Sequence, residues 1–173
     1  MFADDVKLYK IITCSLDIFH LQEDLNRFVV WSAINGMSLN IGKCCYISFY
    51  RGGKKFDSAY SILDSRLRLV SSIKDLGVEF TRDVTFSSHI NVITARAHKV
   101  LGFIYRNSTD LSWSSVRLLY CSLVRSSLEY ASIVWSPFYE VHKLTIERVQ
   151  NRALRICAYR SGVRIINHDY NDI

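Results

Sequence analysis

Apolar and polar positions alternate along the first half of the chain and recur at helical spacing along the second. Phe2 to Tyr9 reads as two short extended pieces around Asp4-Asp5, the second being Val6-Lys7-Leu8-Tyr9. A helix is predicted from about Ser15 to Asn35, with Ser15 placed to cap it. Leu16, Phe19, Leu25, Phe28 and Ser32 fall near one face of that helix. Asn35-Gly36 supplies the left-handed residue that ends a helix. Cys44 to Tyr50 reads as a strand, with Tyr46 and Ser48 on one side and Ile47 and Phe49 on the other. Arg51-Gly52-Gly53-Lys54 is a turn. Arg66 to Val70 alternates Leu67 and Leu69 against Arg66 and Arg68, as a half-buried strand does. Asp75 to Phe80 is another, with Leu76, Val78 and Phe80 on one face.

Helical spacing takes over after Phe86. Ser87 or Ser88 can cap a helix whose apolar stripe is Ile90, Ile93, Ala97, Leu101 and Ile104. Trp113-Ser114 begins a second, with Val116, Leu119, Leu123 and Ser127 on one face. Pro137 breaks the pattern. A third helix runs from about Val141 to Tyr159, burying Ile146, Val149, Ala153 and Ile156. Its opposite face carries Arg148, Arg152 and Arg155. The polar tail from Ser161 is expected to fray. Strands with one helix, followed by helices alone, make an α+β layout.

Composition narrows the class. The chain has 173 residues, 49% of them hydrophobic and 22% charged, which suits one folded domain rather than a disordered tract. One Pro and seven Gly exclude collagen-like and Pro-rich classes. The longest uncharged stretch, Phe28 to Gly42, is interrupted by Ser, Asn and Gly, so no membrane span is expected. Asp4, Asp5 and Lys7 stand where a secretory signal needs apolar residues, so an intracellular protein is expected. Five Cys at irregular spacing, without C-x-x-C, read as buried reduced thiols rather than a zinc site.

Charge is uneven. The formal net charge is +6. Residues 1–94 hold 11 basic and 10 acidic side chains, and residues 95–173 hold 11 and 6. The second half is therefore the candidate anion-binding half.

The sharpest local feature is Phe2-Ala3-Asp4-Asp5-Val6-Lys7-Leu8-Tyr9. Two adjacent carboxylates crowded in a tight turn repel each other. A divalent cation relieves the repulsion, and Mg²⁺ favours one or two carboxylates with substrate phosphates. The plainer reading is a solvated Asp turn. Lys43 has a similar rival as a strand-edge lysine, and the Arg148/Arg152/Arg155 row as a solvated face. Tyr46, Tyr50, Phe103, Tyr105 and Trp135 read as core before they read as stacking platforms. His89 and His98, nine residues apart, do not share a helical face as metal ligands.

A series of blocks follows the acidic pair in order. They are Leu39-Asn40-Ile41-Gly42-Lys43-Cys44 and Lys74-Asp75-Leu76-Gly77-Val78-Glu79-Phe80, then Phe86 and His89-Ile90. Next come Lys99-Val100-Leu101-Gly102-Phe103, Leu119-Tyr120 with Leu123-Val124, Leu128-Glu129-Tyr130-Ala131 and Val134-Trp135. The last runs from Ile146-Glu147-Arg148 to Arg152-Ala153-Leu154-Arg155. Over about residues 2 to 160, this series resembles the C-terminal part of the reverse transcriptase of non-LTR, jockey-like retrotransposons.

The resemblance implies a partial right-hand polymerase palm, of antiparallel strands and a helix, over residues 1–85. It implies an all-helical thumb over 86–160, with 161–173 as the tail. Asp4 would ligate the catalytic divalent metals, Mg²⁺ or Mn²⁺, with Asp5 beside it as ligand or electrostatic partner. Lys43 would fall near the incoming nucleotide as general acid to the leaving pyrophosphate. Leu76-Gly77-Val78 would belong to the primer grip. The partners implied are an RNA template, a DNA primer and deoxynucleoside triphosphates.

These roles suit the chemistry. Nucleotidyl transfer uses two cations roughly 4 Å apart, and a lysine near pyrophosphate offers a proton. A thumb holding a duplex without reading its sequence needs cations facing phosphates. Arg148, Arg152 and Arg155 would serve, with Arg96 and Lys99 on the earlier helix. Such polymerases take a further metal-binding aspartate from an earlier palm strand, and Asp64 and Asp83 read as turn residues rather than substitutes. The chain alone is therefore expected to be inactive, with exposed strand edges that favour self-association. The alternatives are a non-catalytic module that binds RNA or RNA–DNA duplex, or a retroelement relic without function. Relatives act on chromosomal DNA, which points to the nucleus.

Overall fold

The computed structural model describes residues 5–50, 52, 56 and 58–162. Asp4 and the tail beyond Gly162 lie outside the described residues. The architecture is α+β, as the residue pattern implied. The chain divides into two compact units. One comprises the chain up to Ile73 with Arg82–Val84, and the other Lys74–Thr81 with the chain from Thr85 onward.

In the first unit, Val6–Tyr9 is irregular rather than extended into a strand. Helix α1 spans Ser15–Ile34 and starts from Cys14, one residue before the serine expected to cap it. The reason is Asp17, whose carboxylate accepts from the Thr13 and Cys14 backbone N–H groups at 2.8 and 3.0 Å and from the Thr13 hydroxyl at 2.7 Å. Those bonds hold its carboxyl well below the usual carboxylate range. The inward stripe is Ile18, Leu21, Leu25 and Val29, with Ser32 buried at its end. Leu16 and Phe19, assigned inward from the sequence, are each 58% exposed. The helix carries apolar residues on two faces, and packing selects one.

That face covers very short strands. β1 (Cys45–Tyr46) pairs in parallel with β4 (Arg68–Leu69). β2 (Ser61–Ile62) pairs antiparallel with β3 (Ser65–Arg66), placing Ser61 opposite Arg66 and Ile62 opposite Ser65. Leu63 and Asp64 join β2 to β3 at φ 45° and 56°, the left-handed pair of a tight hairpin turn. The strand expected over Arg66–Val70 is thus divided between two partners. Leu67 turns inward between them at 7% exposure, while Leu69 stays 39% exposed. The strand expected over Cys44–Tyr50 shrinks to Cys45–Tyr46 because β4 offers only two residues to pair.

The core of this unit is Tyr60, Ile62 and Leu67. The Tyr46 ring meets Tyr60 edge-on at 5.0 Å, and its hydroxyl donates to the Ser58 carbonyl at 2.6 Å. Gln22 on α1 acts as a substitute strand partner for Ser61. Its Nε2 donates to the Ser61 carbonyl, and its Oε1 accepts from the Ser61 N–H, both at 2.9 Å.

The second unit opens with a hairpin, β5 (Ser72–Asp75) and β6 (Val78–Thr81), whose first two residues belong to the first unit. Leu76 and Gly77 turn it at φ 43° and 86°. Leu76 was expected inside a strand; it sits in the turn, 49% exposed, while Val78 is buried. A branched side chain rarely adopts that backbone. Tyr130 holds it there by donating its hydroxyl to the Leu76 carbonyl at 2.9 Å. The Tyr130 ring also packs so near Gly77 that a Cβ there would stand 3.1 Å from it.

Helix α2 (Ser87–Asn107) buries Ile90, Ala97, Leu101 and Ile104, as its spacing predicted. Neither serine caps it. The Ser88 hydroxyl donates to Glu79 at 2.8 Å, and Ser87 Oγ lies 3.0 Å from His142 Nε2. Helix α3 (Trp113–Leu119) is capped by Ser112, whose hydroxyl accepts from the Ser115 N–H at 3.3 Å. It continues as a wider π turn over Tyr120–Arg125 and then as α4 (Ser126–Glu129). The π turn shifts the inward register by one position. Val116, Val124 and Leu128 are therefore buried, whereas Leu123, expected inside, is 50% exposed. α5 (Ser132–Trp135) precedes Pro137, and α6 (Glu140–Ser161) closes the unit.

Its main core joins Ala97, Leu101 and Ile104 to Val116, Val124 and Leu128 and to Val149, Ala153, Ile156 and Cys157. A second cluster sets Trp135 against Val78 and Ile90. The Trp135 indole donates to the Tyr130 carbonyl at 2.8 Å, and His89 meets the indole ring edge-on at 5.4 Å. Of the five free cysteines only Cys157 is buried; Cys14 is exposed, and Cys44, Cys45 and Cys121 are partly covered. Among the described residues no helix is long and apolar enough to cross a membrane.

Candidate nucleic-acid interface

The residues singled out for chemistry fall into two sets. Asp4 lies outside the described residues. Asp5 is an exposed bridge residue, and Lys43 is exposed at the end of a 3₁₀ turn, Ile41–Lys43, rather than in a strand. No hydrogen bond or ion pair joins Asp5 to Lys43 among the described residues. A cleft of the first unit, about 520 Å³, is lined by Tyr46, Ser58, Ala59, Arg66, Leu67 and Leu69, and so contains neither. Among the described residues no three His, Cys, Asp or Glu side chains gather to hold a metal ion.

Of the second set, the structure brings Arg152 and Arg155 together in one cleft. Ser87, at the start of α2, touches His142, near the start of α6, and Tyr105, near the end of α2, shares a cleft with Tyr159, near the end of α6. The two helices therefore run side by side in the same direction. The cleft, of about 290 Å³, is lined by Tyr105, Arg152, Arg155, Ile156 and Tyr159. Arg152 immediately precedes buried Ala153, and Arg155 precedes buried Ile156. The arginine row thus flanks the buried stripe, beside α2, rather than standing opposite it as the spacing alone implied. Arg148 continues the row one turn earlier, exposed and outside the cleft lining.

Helix α2 contains no acidic residue, and neither does α6 from Arg148 onward. No carboxylate pairs with Arg152 among the described residues. His98 records the local field. Burial, and then the neighbouring Arg152 charge, push its pKa down, and its Nδ1 is buried without a hydrogen-bond partner among the described residues. Arg96 and Lys99 are exposed. Each lies away from the buried stripe of α2 by helical spacing, on a face that also carries Phe103 at 60% exposure.

Charge spacing pointed to Arg152 and Arg155, whereas Tyr105 was weighed as core ahead of stacking, His98 was weighed only as a metal ligand, and Tyr159 was not singled out. Tyr105 was read as core and is 45% exposed, and Tyr159 is 73% exposed. Phe103 and Tyr50, also read as core, are exposed, whereas Trp135 is buried as expected. A signal was present. Arg148, Arg152, Arg155 and Tyr159 follow one another at intervals of four, three and four, and His98 and Tyr105 are seven apart. Each series is one stripe of a helix.

The RNA-directed DNA polymerase of the mobile element jockey from Drosophila funebris is 28% identical to this chain over 159 residues, covering 89% of the chain. The probable RNA-directed DNA polymerase of transposon X-element from Drosophila melanogaster is 24% identical over 159 residues, covering 90%. This chain is similar to retrotransposon polymerases. It spans 17% of the length of each of these two polymerases. No family model and no solved structure matches the chain. The order of blocks that pointed to jockey-like polymerases is therefore backed by two curated relatives along nearly the whole chain.

Proposed function

We propose that this chain works as part of a retrotransposon reverse transcriptase, with its helical unit holding template and primer. The observation that carries the reading is the likeness to two RNA-directed DNA polymerases over nine tenths of the chain. The cationic cleft between α2 and α6 supports the holding role, since its lining sets two guanidinium groups beside two phenol rings and includes no carboxylate. Arg148 extends the exposed positive row along α6, and Arg96 and Lys99 add positive charge on another exposed face of α2. Reverse transcriptases generally use divalent metal ions. In this reading Asp4 and Asp5 belong to the metal-binding part of the enzyme and Lys43 to its nucleotide side. RNA template, DNA primer and deoxynucleoside triphosphates are then its partners.

A salt titration of oligonucleotide binding tests the holding role. The full chain should bind an RNA–DNA duplex with an affinity that falls steeply with salt. Replacing Arg148, Arg152 and Arg155 together by Gln should weaken binding and flatten the slope by roughly the number of phosphate contacts removed. Unchanged binding by that variant would refute the assignment. Two adjacent carboxylates are too few ligands for a two-cation site, so the chain by itself should hold a primed template without extending it. Nucleotide incorporation by the purified chain, lost in Asp4→Ala, would overturn that expectation.

A further inference from the structure

We propose that the cleft between α2 and α6 takes an unpaired nucleotide, its base against Tyr105 and Tyr159 and its phosphate on Arg152 and Arg155. The inference rests on the holding role above and narrows it to a single-stranded stretch of nucleic acid.

A site that only follows a duplex needs cations in a row and little else, because the faces of paired bases are hidden in the stack. This cleft has more. Two phenol rings stand at its rim, 45% and 73% exposed, beside the two guanidinium groups. Ile156, buried to 7%, closes the floor. Its volume of about 290 Å³ falls at the small end of the range for ligand pockets, room for one base with its sugar phosphate rather than a groove for a helix. Aromatic rings stacking on bases, with cations following the backbone, is how proteins hold unpaired strands whatever their sequence.

Position adds to this. Tyr159 continues the stripe of Arg148, Arg152 and Arg155, so a strand lying along α6 meets three cations and then a ring. Tyr105 faces that row from α2, two turns beyond His98, whose ring lies in the field of Arg152. The buried and unpartnered Nδ1 of His98 leaves that wall with a polar atom but no negative charge. Neither α2 nor α6 from Arg148 onward carries a carboxylate.

The test compares two probes on the full chain by fluorescence anisotropy: a short labelled single-stranded RNA, and the same strand annealed as a blunt duplex. Replacing Tyr105 and Tyr159 together by Leu should weaken single-strand binding roughly tenfold and leave duplex binding nearly unchanged. Replacing both by Phe, which keeps the rings, should retain single-strand binding. The exposure of both rings makes misfolding a small risk, and the helical circular dichroism of each variant checks it. Equal losses on both probes, or no loss on either, would overturn the subsite. The holding role would survive that result if the triple arginine variant still lost duplex binding. Failure of the unaltered chain to bind either probe would overturn both.

Discussion

The first unit buries Tyr60, Ile62 and Leu67 behind one face of α1, whereas the second closes ten side chains from α2, α3, the π turn, α4 and α6 into one cluster. The strands β1 to β4 are two residues long and contribute few ladder bonds. The first unit therefore depends on a single helix face and on Gln22 standing in as a strand partner. The helices of the second hold one another on several sides. Local stability follows the density of buried contacts. The comparison thus teaches that the cationic cleft sits on the stiffer frame, and the residues assigned to chemistry on the softer one.

Core truncation should separate the units most. Leu101 is 1% exposed at the centre of the helical cluster, and Leu101→Ala should cost about 2–5 kcal/mol. Ile62→Ala, in the thinner core, should cost about 2 kcal/mol or less, because its surroundings can collapse or admit water. Chemical denaturation of each variant, followed by circular dichroism, measures both. The reverse order would break the comparison.

Next in size is Gln22→Ala, which removes both side-chain bonds to Ser61 and should cost about 1–2 kcal/mol. Hydrogen exchange locates the effect. The Ser61 amide should lose protection while the amides around Val149 keep theirs. Loss of protection in both places would mean that the units open together.

The smallest effect is a pH dependence of the helical unit. His89 is 4% exposed, and burial pushes its pKa down, with Glu79 opposing and Lys74 adding to the shift. Its Nδ1 accepts from the Glu79 N–H at 3.3 Å, an acceptance that requires the neutral ring. The unfolded chain binds the proton more readily, so the stabilisation is complete above the ordinary histidine pKa of about 6.5 and declines as the pH falls below it. His98 shifts in the same direction. Thermal unfolding should therefore occur at lower temperature at acid pH than at neutral pH. His89→Gln should shrink that difference without abolishing it, and an unaltered difference in the variant would exclude His89 as a source.

Much of the helical unit was legible because Ile90, Ala97, Leu101 and Ile104 fall on one stripe and nothing competes with it. On α1 the sequence offers two apolar faces, and only packing against Tyr60, Ile62 and Leu67 decides that Ile18 and Leu21 turn inward while Leu16 and Phe19 do not. The turn at Leu76-Gly77 was hidden for another reason. A leucine at φ 43° is disfavoured locally and is held by Tyr130, a residue far along the chain. The site follows the same division. Charge spacing pointed to Arg152 and Arg155, whereas the general tendency of aromatic residues to be buried concealed Tyr105 and Tyr159. Tyr105 joins the guanidinium groups of α6 only when α6 is laid along α2.

The π turn over Tyr120–Arg125 has a consequence for sequence length. Val116 and Val124 are eight positions apart, one more than two turns of regular winding would place on the same side. The wide turn stores that surplus as slack. Removing Ser122 should let the segment rewind regularly and leave Val116, Val124 and Leu128 still pointing into the helical core. The same excision in the middle of α2 would swing half of its inward residues into water. Length variation among natural copies of this segment should therefore be tolerated at that turn before anywhere else in the bundle.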